Sequence, residues 1–281
     1  MELSQISTRL WKGITAASAL LGTALGMLVA HGLNAHTAGL LAAGLLTGGV
    51  WAGLVLLIGS INVKIDTLTA YTLTARDEIR AMVNIRSLLG PVPLNMGGWA
   101  MDAQFGELVA QTIFDIRPAL VVECGSGSST VLTTSCLHAL GRGGHIVSLD
   151  HEDEYAQKTR RLLQSSFSPS EREAAQVVHA PLKEYDMDGD TYRWYDVPDD
   201  VFEAHSIDLL VVDGPPEHLN AQARFPAVPL LKPYLSDSCV ILMDDGNRPD
   251  EKAIAQKWTD LLDVSIQYVS NDKGAWILRR S

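Results

Sequence analysis

Cysteine is scarce in this chain, basic charge is outweighed by acid, and two long stretches carry no charge at all. Three cysteines in 281 residues, Cys124, Cys136 and Cys239, are an odd number in segments that read as buried. That excludes a disulfide framework and a cysteine-built metal centre, and fits reduced core thiols in the cytosol. Lys and Arg number 22 against 33 Asp and Glu, a net charge of −11. The imbalance is uneven: residues 1–97 sum to +2, leaving −13 for residues 98–281. A domain that acidic lacks the basic face that phosphate demands, so nucleic acid is excluded as a partner. Internal repeats and low-complexity tracts are absent beyond the N-terminal third.

The charge-free stretches are residues 14–30 and 38–61. Crossing the hydrocarbon core of a bilayer takes roughly 20 apolar residues, so the second run is long enough and the first is at the short limit. The connector His31-Gly32-Leu33-Asn34-Ala35-His36-Thr37 has no Lys or Arg, whereas Arg9 and Lys12 precede the pair and Lys64 and Arg76 follow it. The positive-inside rule puts both termini in the cytoplasm. Gly22, Gly26, Gly39, Gly44, Gly48, Gly49 and Gly53 permit close helix packing. A cleaved signal peptide would explain the first run and not the longer second one. Residues 1–61 are therefore predicted to be a two-helix transmembrane hairpin, with the lipid bilayer of the inner or plasma membrane as partner.

Residues 62–95 are predicted to be a juxtamembrane helical linker. Ile61, Ile65, Leu68, Thr72, Ala75, Ile79, Met82, Arg86 and Leu89 step by alternating fours and threes, a heptad-like stripe. Packing on the chain's own domain is its first use, and a homodimer through this helix the second. Gly90-Pro91-Val92-Pro93 ends the helix and opens the domain of residues 96–281.

From about residue 101 helices and strands alternate. Strands are predicted at 120–123, 145–150, 176–180, 207–213 and 238–244, with helices at about 101–115, 152–164 and 251–262, and a closing hairpin over 264–269 and 275–279. This is an α/β, Rossmann-like doubly wound sheet, mostly parallel with an antiparallel C-terminal hairpin. Such sheets bind ligands beyond the carboxyl ends of their strands. Those ends read Glu123, Asp150, Asp213 and Asp244. The first strand runs into Gly125-Ser126-Gly127-Ser128-Ser129-Thr130 and then a helix, a turn that lets a ligand lie against bare backbone at a helix N-terminus.

These motifs together resemble the class I S-adenosylmethionine-dependent methyltransferases. They are similar to a bacterial methyltransferase family whose strand ends read E-x-G-S-G-x-S-T, D-G-P-P and D-D-x-x-R-P. Here those are Glu123 to Thr130, Asp213-Gly214-Pro215-Pro216 and Asp244-Asp245-Gly246-Asn247-Arg248-Pro249; Tyr192 to Asp196 and Arg224 to Pro229 match as well. The resemblance covers about residues 95–281. It implies that Glu123 faces the cofactor's amino group and that Gly125 and Gly127 let the cofactor cross the turn. Ser126 and Ser129 would serve its carboxylate, Asp150 its ribose hydroxyls with His151 beside it, and Ala180 would border the adenine.

The resemblance extends to metal-dependent O-methyltransferases of the catechol type, which hold Mg²⁺ with an Asp and an Asp-Asn pair. Here Asp213, Asp244 and Asp245 stand in those places, with Asp245 replacing the Asn; pairing of Asp245 with Arg248 is the alternative. Three oxygen ligands suit Mg²⁺ or Ca²⁺. For a hydroxyl acceptor the base candidates are Asp213 and His218, with His151 a third. Tyr192, Trp194 and Tyr195 form either an aromatic wall or loop packing. The function implied is O-methylation of a small-molecule, glycan or lipid-linked acceptor on the cytoplasmic side. An NAD-dependent oxidoreductase would need a third glycine where Ser128-Ser129-Thr130 stands. A catalytically inactive nucleotide-binding scaffold would not need Glu123, both glycines and Asp150 kept together.

Overall fold

The computed structural model describes residues 35–89, 101–198 and 201–280. The chain divides into two compact units, Met1–Thr72 and Leu73–Ser281.

In the first unit the described residues belong to helix α1 (Ala35–Leu89). Its apolar side chains are turned outward: Leu46, Trp51 and Val55 are 71%, 70% and 63% exposed. A core helix would bury such a face, and α1 is long and apolar enough to cross a membrane. One such helix is described. The apolar run at 14–30 lies outside the described residues, so the expected two-helix hairpin is seen only as this single helix. The expected break after residue 61 is absent too. Neither Pro nor Gly occurs between Ile61 and Leu89, so nothing interrupts the backbone ladder where Lys64 and Asp66 begin the polar part.

The second unit takes in the end of α1 and the α/β domain. Here the heptad-like stripe is corrected. Ala81 and Ile85, each one position before Met82 and Arg86 of that stripe, enter the core together with Leu89 of the stripe itself, whereas Ile79 and Met82 are 63% and 44% exposed. The packing face is rotated by one residue, about 100° around the helix. Glu78 on that rotated face accepts from the amide of Ala103 at 2.7 Å, and Asn84 bonds Glu107. Both partners belong to the next helix, α2 (Ala103–Ile116), capped by Asp102, whose Oδ1 accepts from the Phe105 amide at 2.7 Å.

The sheet follows: β1 (Leu120–Cys124), β2 (His145–Asp150), β3 (Ala175–His179), β4 (Leu182–Met187), β5 (Asp190–Tyr195), β6 (Ile207–Val212), β7 (Leu235–Met243), β8 (Val264–Val269) and β9 (Ala275–Arg280). Helices α3 (Ser128–Leu140), α4 (Asp153–Ser166), α5 (Pro169–Arg172), α6 (Ala227–Leu231) and α7 (Pro249–Leu261) connect them. Seven strands form one sheet in the order β3-β2-β1-β6-β7-β9-β8, parallel except for β9, which runs antiparallel to both β7 and β8. Both faces are apolar and alternate residue by residue. Val121, Leu209, Val211 and Leu242 pack into one core, and Val122, Leu210, Val212 and Ile241 into the other.

Strand order reverses between β1 and β6, the place where ligands bind in such sheets. The register aligns the strand ends there. Cys124 pairs with Leu149 and with Val212, and Val212 pairs with Met243, so Asp150, Asp213 and Asp244 emerge level beside Gly125.

The short helices α5 and α6 and one hairpin stand outside the elements expected from sequence. β4 and β5 form an antiparallel hairpin closed by Asp188-Gly189, both at positive φ. An Asp-Gly pair between alternating strands is a strong hairpin signal. The hairpin buries Tyr192, Trp194 and Tyr195, each at most 3% exposed, so these aromatics are core packing and not an open wall. The three cysteines are free and buried as expected, with burial pushing the Cys136 and Cys239 thiols up to about 12.

Candidate active site

The glycine turn opens the rim of the sheet. The Gly125 amide donates to the Leu149 carbonyl at 2.8 Å, which ends β1 against β2. Gly125 (φ +117°) and Gly127 (φ +144°) have backbone conformations that L side chains rarely adopt. A Cβ at Gly127 would meet nothing within 4 Å. The backbone is therefore open on that side, at the point where α3 begins and its first amides lack helical partners.

Glu123 lies beneath this turn, 1% exposed. Its Oε2 accepts from Thr130 Oγ1 at 2.6 Å and from Ser148 Oγ at 2.7 Å, and Ser129 also hydrogen-bonds the carboxyl group. Burial pushes its pKa up to about 7 against the pull of these hydroxyls. The carboxylate thus braces the first turn of α3 on β2. Thr130 and Ser148 were not among the sequence candidates, because nothing local marks a hydroxyl as a buried partner.

Asp150 carries the next edge. Its Oδ2 accepts from Ser126 and its Oδ1 accepts from the Glu152 amide at 3.0 Å. Ser126 Oγ also lies 2.9 Å from Thr159 Oγ1. The Ala180 amide donates to the Asp150 carbonyl at 2.8 Å, which fixes the exit of β3 beside that of β2. His151 stands edge-on to Tyr195, ring centroids 6.2 Å apart. Gly125, Ser126, Gly127, Asp150, His151 and Ala180 are thus brought along one rim, while Ser129 turns under it toward Glu123.

The far side of the rim is an acidic cluster. Carboxylate oxygens of Asp213, Asp244 and Asp245 lie within 4.8 Å of one another. Asp213 is the more open, its side chain 23% exposed. Asp244 is 1% exposed and neither of its carboxylate oxygens has a hydrogen-bond partner. Burial raises the pKa of both; Arg224 opposes that rise at Asp213, and repulsion from Asp213 and Asp245 adds to it at Asp244.

Arg224 was not assigned a role from sequence, yet it stands at the centre of this cluster. Its Nη2 donates to Asp245 Oδ2 at 2.7 Å and to the Asp213 carbonyl at 2.9 Å, and lies 3.5 Å from Asp213 Oδ1. Its Nη1 donates to the Asp244 carbonyl at 2.9 Å, and Nε is 3.8 Å from Glu251 Oε1. Arg248 Nη1 takes Asp245 Oδ2 at 3.0 Å, the pairing held as the alternative to a metal. The structure therefore brings the three expected carboxylates together, but with guanidinium already on Asp245 and at the edge of Asp213. His218 sits exposed in the short 3₁₀ turn Glu217–Leu219, and no hydrogen bond or ion pair ties it to Asp213.

Residues 122–246 match the model of a methyltransferase domain. The match contains every rim residue named above except Arg248 and Glu251. No curated protein matches the chain. Among solved structures the chain is similar to an SAH-bound methyltransferase from Podospora anserina, at 14% identity over 78% of this chain and 95% of that one, TM-score 0.47. It is likewise similar to an O-methyltransferase from Bacillus cereus in complex with SAH, at 13% identity over 73% and 91%, TM-score 0.46. A third is the O-methyltransferase TomG from Streptomyces achromogenes in complex with SAM, at 14% identity over 73% and 89%, TM-score 0.45.

Proposed function

We propose that this protein is a membrane-anchored, S-adenosylmethionine-dependent methyltransferase that methylates a hydroxyl of a small-molecule, glycan or lipid-linked acceptor on the cytoplasmic side. The observation that carries this reading is the placement, within the methyltransferase match, of an open glycine turn and a strand-end carboxylate at the switch in strand order.

The residues present fit the cofactor. Gly127 leaves a cradle that a Cβ would enter, and the α3 N-terminus beside it suits a carboxylate. Asp150 offers acceptor oxygens for ribose hydroxyls, and Ala180 with His151 continues the edge along which the base would lie. When bound, S-adenosylmethionine supplies an electrophilic methyl group on a sulfonium. Asp213, the open member of its cluster, takes the proton of the acceptor hydroxyl as that oxygen becomes a nucleophile. Its raised pKa brings it nearer neutrality, where a general base works best. Arg224 keeps Asp213 in place through both its carbonyl and its carboxylate edge.

Support for the anchor is α1, apolar and exposed over its first half. A catalytic domain tethered there meets acceptors made at the membrane. The exposed stripe around Ile65, Leu68 and Ile79 offers a face through which two copies could pair.

The test is calorimetry on the full chain purified in detergent, titrated with S-adenosylmethionine, with Asp150→Ala alongside. Saturable binding that the variant loses supports the reading. No binding by a folded wild-type protein removes it, and the same protein titrated with NAD then decides whether a dinucleotide takes the turn.

A further inference from the structure

Metal-dependent methyl transfer would require the three aspartates to close on a divalent ion, and the geometry around them argues otherwise. We propose that the Arg224 guanidinium is the built-in cation of this cluster, standing in the position a divalent ion would otherwise fill, so that the site holds its acceptor without a metal. Three carboxylates stand around this one side chain, those of Asp213, Asp245 and Glu251 within 4 Å, and the Asp244 backbone carbonyl accepts from it as well. Arg224 is itself 3% exposed. A guanidinium stays charged in such surroundings and presents its donors in a fixed fork, so it neutralises several oxygens at once as a hard cation would.

The side chain cannot readily leave. Its loop is pinned on both sides: the Trp258 indole donates to the Phe225 carbonyl at 2.9 Å, and the Gln222 amide donates to Asp250 Oδ2 at 2.9 Å. Trp258 is fully buried. A divalent ion would also have to share Asp245 Oδ2 with two guanidiniums, at 2.7 and 3.0 Å, and like charges at such distances repel strongly in a buried site. By joining the carbonyls of Asp213 and Asp244, Arg224 ties the ends of β6 and β7 together, the tie a shared metal would make. The unpaired oxygens of Asp244 complete the picture. Take the guanidinium away, and three carboxylates with unused lone pairs face one another within 4.8 Å, a donor set that suits a hard divalent cation.

Arg224 is thus a positioning residue. The inference rests on the methyl-transfer reading only for the use made of the site. Divalent binding is measured without any methyl donor, so the two can fail separately. Titrate the full chain with Mn²⁺ by calorimetry: wild type, Arg224→Lys, Arg224→Gln and the double variant Arg224→Gln with Asp244→Asn. Wild type and Arg224→Lys should give no saturable heat up to about 10 mM, beyond the range of weak natural divalent sites. Arg224→Gln should gain one Mn²⁺ site at least about tenfold tighter than that limit, and the double variant should lose it. One-site binding by wild type that disappears in Asp245→Asn overturns the proposal, as does a folded Arg224→Gln that binds nothing. If Arg224→Gln does not fold, the wild-type titration and its Asp245→Asn control decide alone: such a site overturns the proposal, and its absence upholds it.

Discussion

The Ser126 hydroxyl donates to the Asp150 carboxylate across the gap between the glycine turn and the end of β2. One oxygen of the acid proposed to take the ribose is therefore already engaged by the turn proposed to take the methionine end. The other oxygen is held by the Glu152 amide. The two halves of the cofactor site are mechanically one piece, with Thr159 of α4 as the backstop behind Ser126.

Removing that link should weaken cofactor binding without abolishing it. Ser126→Ala is expected to lower affinity for S-adenosylmethionine about tenfold, the worth of one hydrogen bond to a charged group at ~1.5 kcal/mol. Asp150→Ala should cost at least roughly a hundredfold, since it removes the acceptor itself along with the link. Calorimetry on both variants checks the ratio. Equal losses would mean that Ser126 and Asp150 act only as a pair; no loss in Ser126→Ala would mean the link carries nothing.

Gly214 makes a second, purely steric case. A Cβ there would land on the Tyr195 hydroxyl and lie 3.3 Å from the Cys124 carbonyl. Gly214→Ala should therefore lower the thermal midpoint of the protein, at a cost of about 1–3 kcal/mol for overpacking. Adding Tyr195→Phe, which deletes the clashing oxygen, should recover a good part of that loss. Differential scanning of the two variants and the double settles it; a double variant as unstable as the sum of the singles would place the strain on the backbone contact instead.

Much of the domain was legible because its strands announce themselves. Leu120 to Cys124 and Ile207 to Val212 are short apolar runs ending in a turn and an acid, and the register put those acids level. The strand-end acids and glycines could be picked by position alone. What lay hidden were partners set by tertiary contact. Arg224 comes from a loop 11 residues beyond Asp213, and only packing of Phe225 on Trp258 turns it into the cluster. Ser148 looks like any strand residue until Glu123 pairs opposite it in the register. The β4–β5 hairpin is signalled locally only by Asp188-Gly189; its strands alternate too weakly, with Lys183, Glu184 and Asp186 in β4, to stand out by pattern. The α1 stripe misled for a simpler reason: periodicity marks an apolar face, and this helix has two.

Glu123 makes stability depend on pH in a definite direction. Its carboxyl titrates at about 7 in the folded protein, against an ordinary value of 4.5. The folded state therefore holds a proton that the unfolded state has released between those values. Its contribution is fully present below about pH 4.5 and is lost as pH rises through 7, a decline on the order of 3 kcal/mol from this group. Glu123→Gln cannot ionise and should flatten that part of the profile, with a thermal midpoint that converges on or exceeds wild type by pH 8. Melting both proteins from pH 5 to 8 is the check; parallel curves would mean that Glu123 stays charged throughout. The ligand side has the opposite sign. An ammonium partner prefers the charged acid, so S-adenosylmethionine affinity should rise across the same interval in wild type and stay level in the variant.

The two faces of α1 can be told apart by truncating one residue on each. Ile85 is 1% exposed and packs with Ala81 and Leu89 into the core beneath β1, whereas Ile79, six positions earlier, is 63% exposed. Ile85→Ala leaves a cavity among side chains that cannot all close on it, at an expected cost of about 2–4 kcal/mol. Ile79→Ala removes a side chain that touches little and raises helix propensity, so the monomer's unfolding free energy should change by less than about 0.5 kcal/mol in either direction. The comparison also bears on pairing between copies. If the exposed stripe joins two chains, Ile79→Ala lowers the crosslinked dimer fraction in membranes while leaving the domain's own melting unchanged. Ile85→Ala does the reverse. A result in which Ile79→Ala destabilises as strongly as Ile85→Ala would put the heptad-like stripe, and not the rotated face, against the domain.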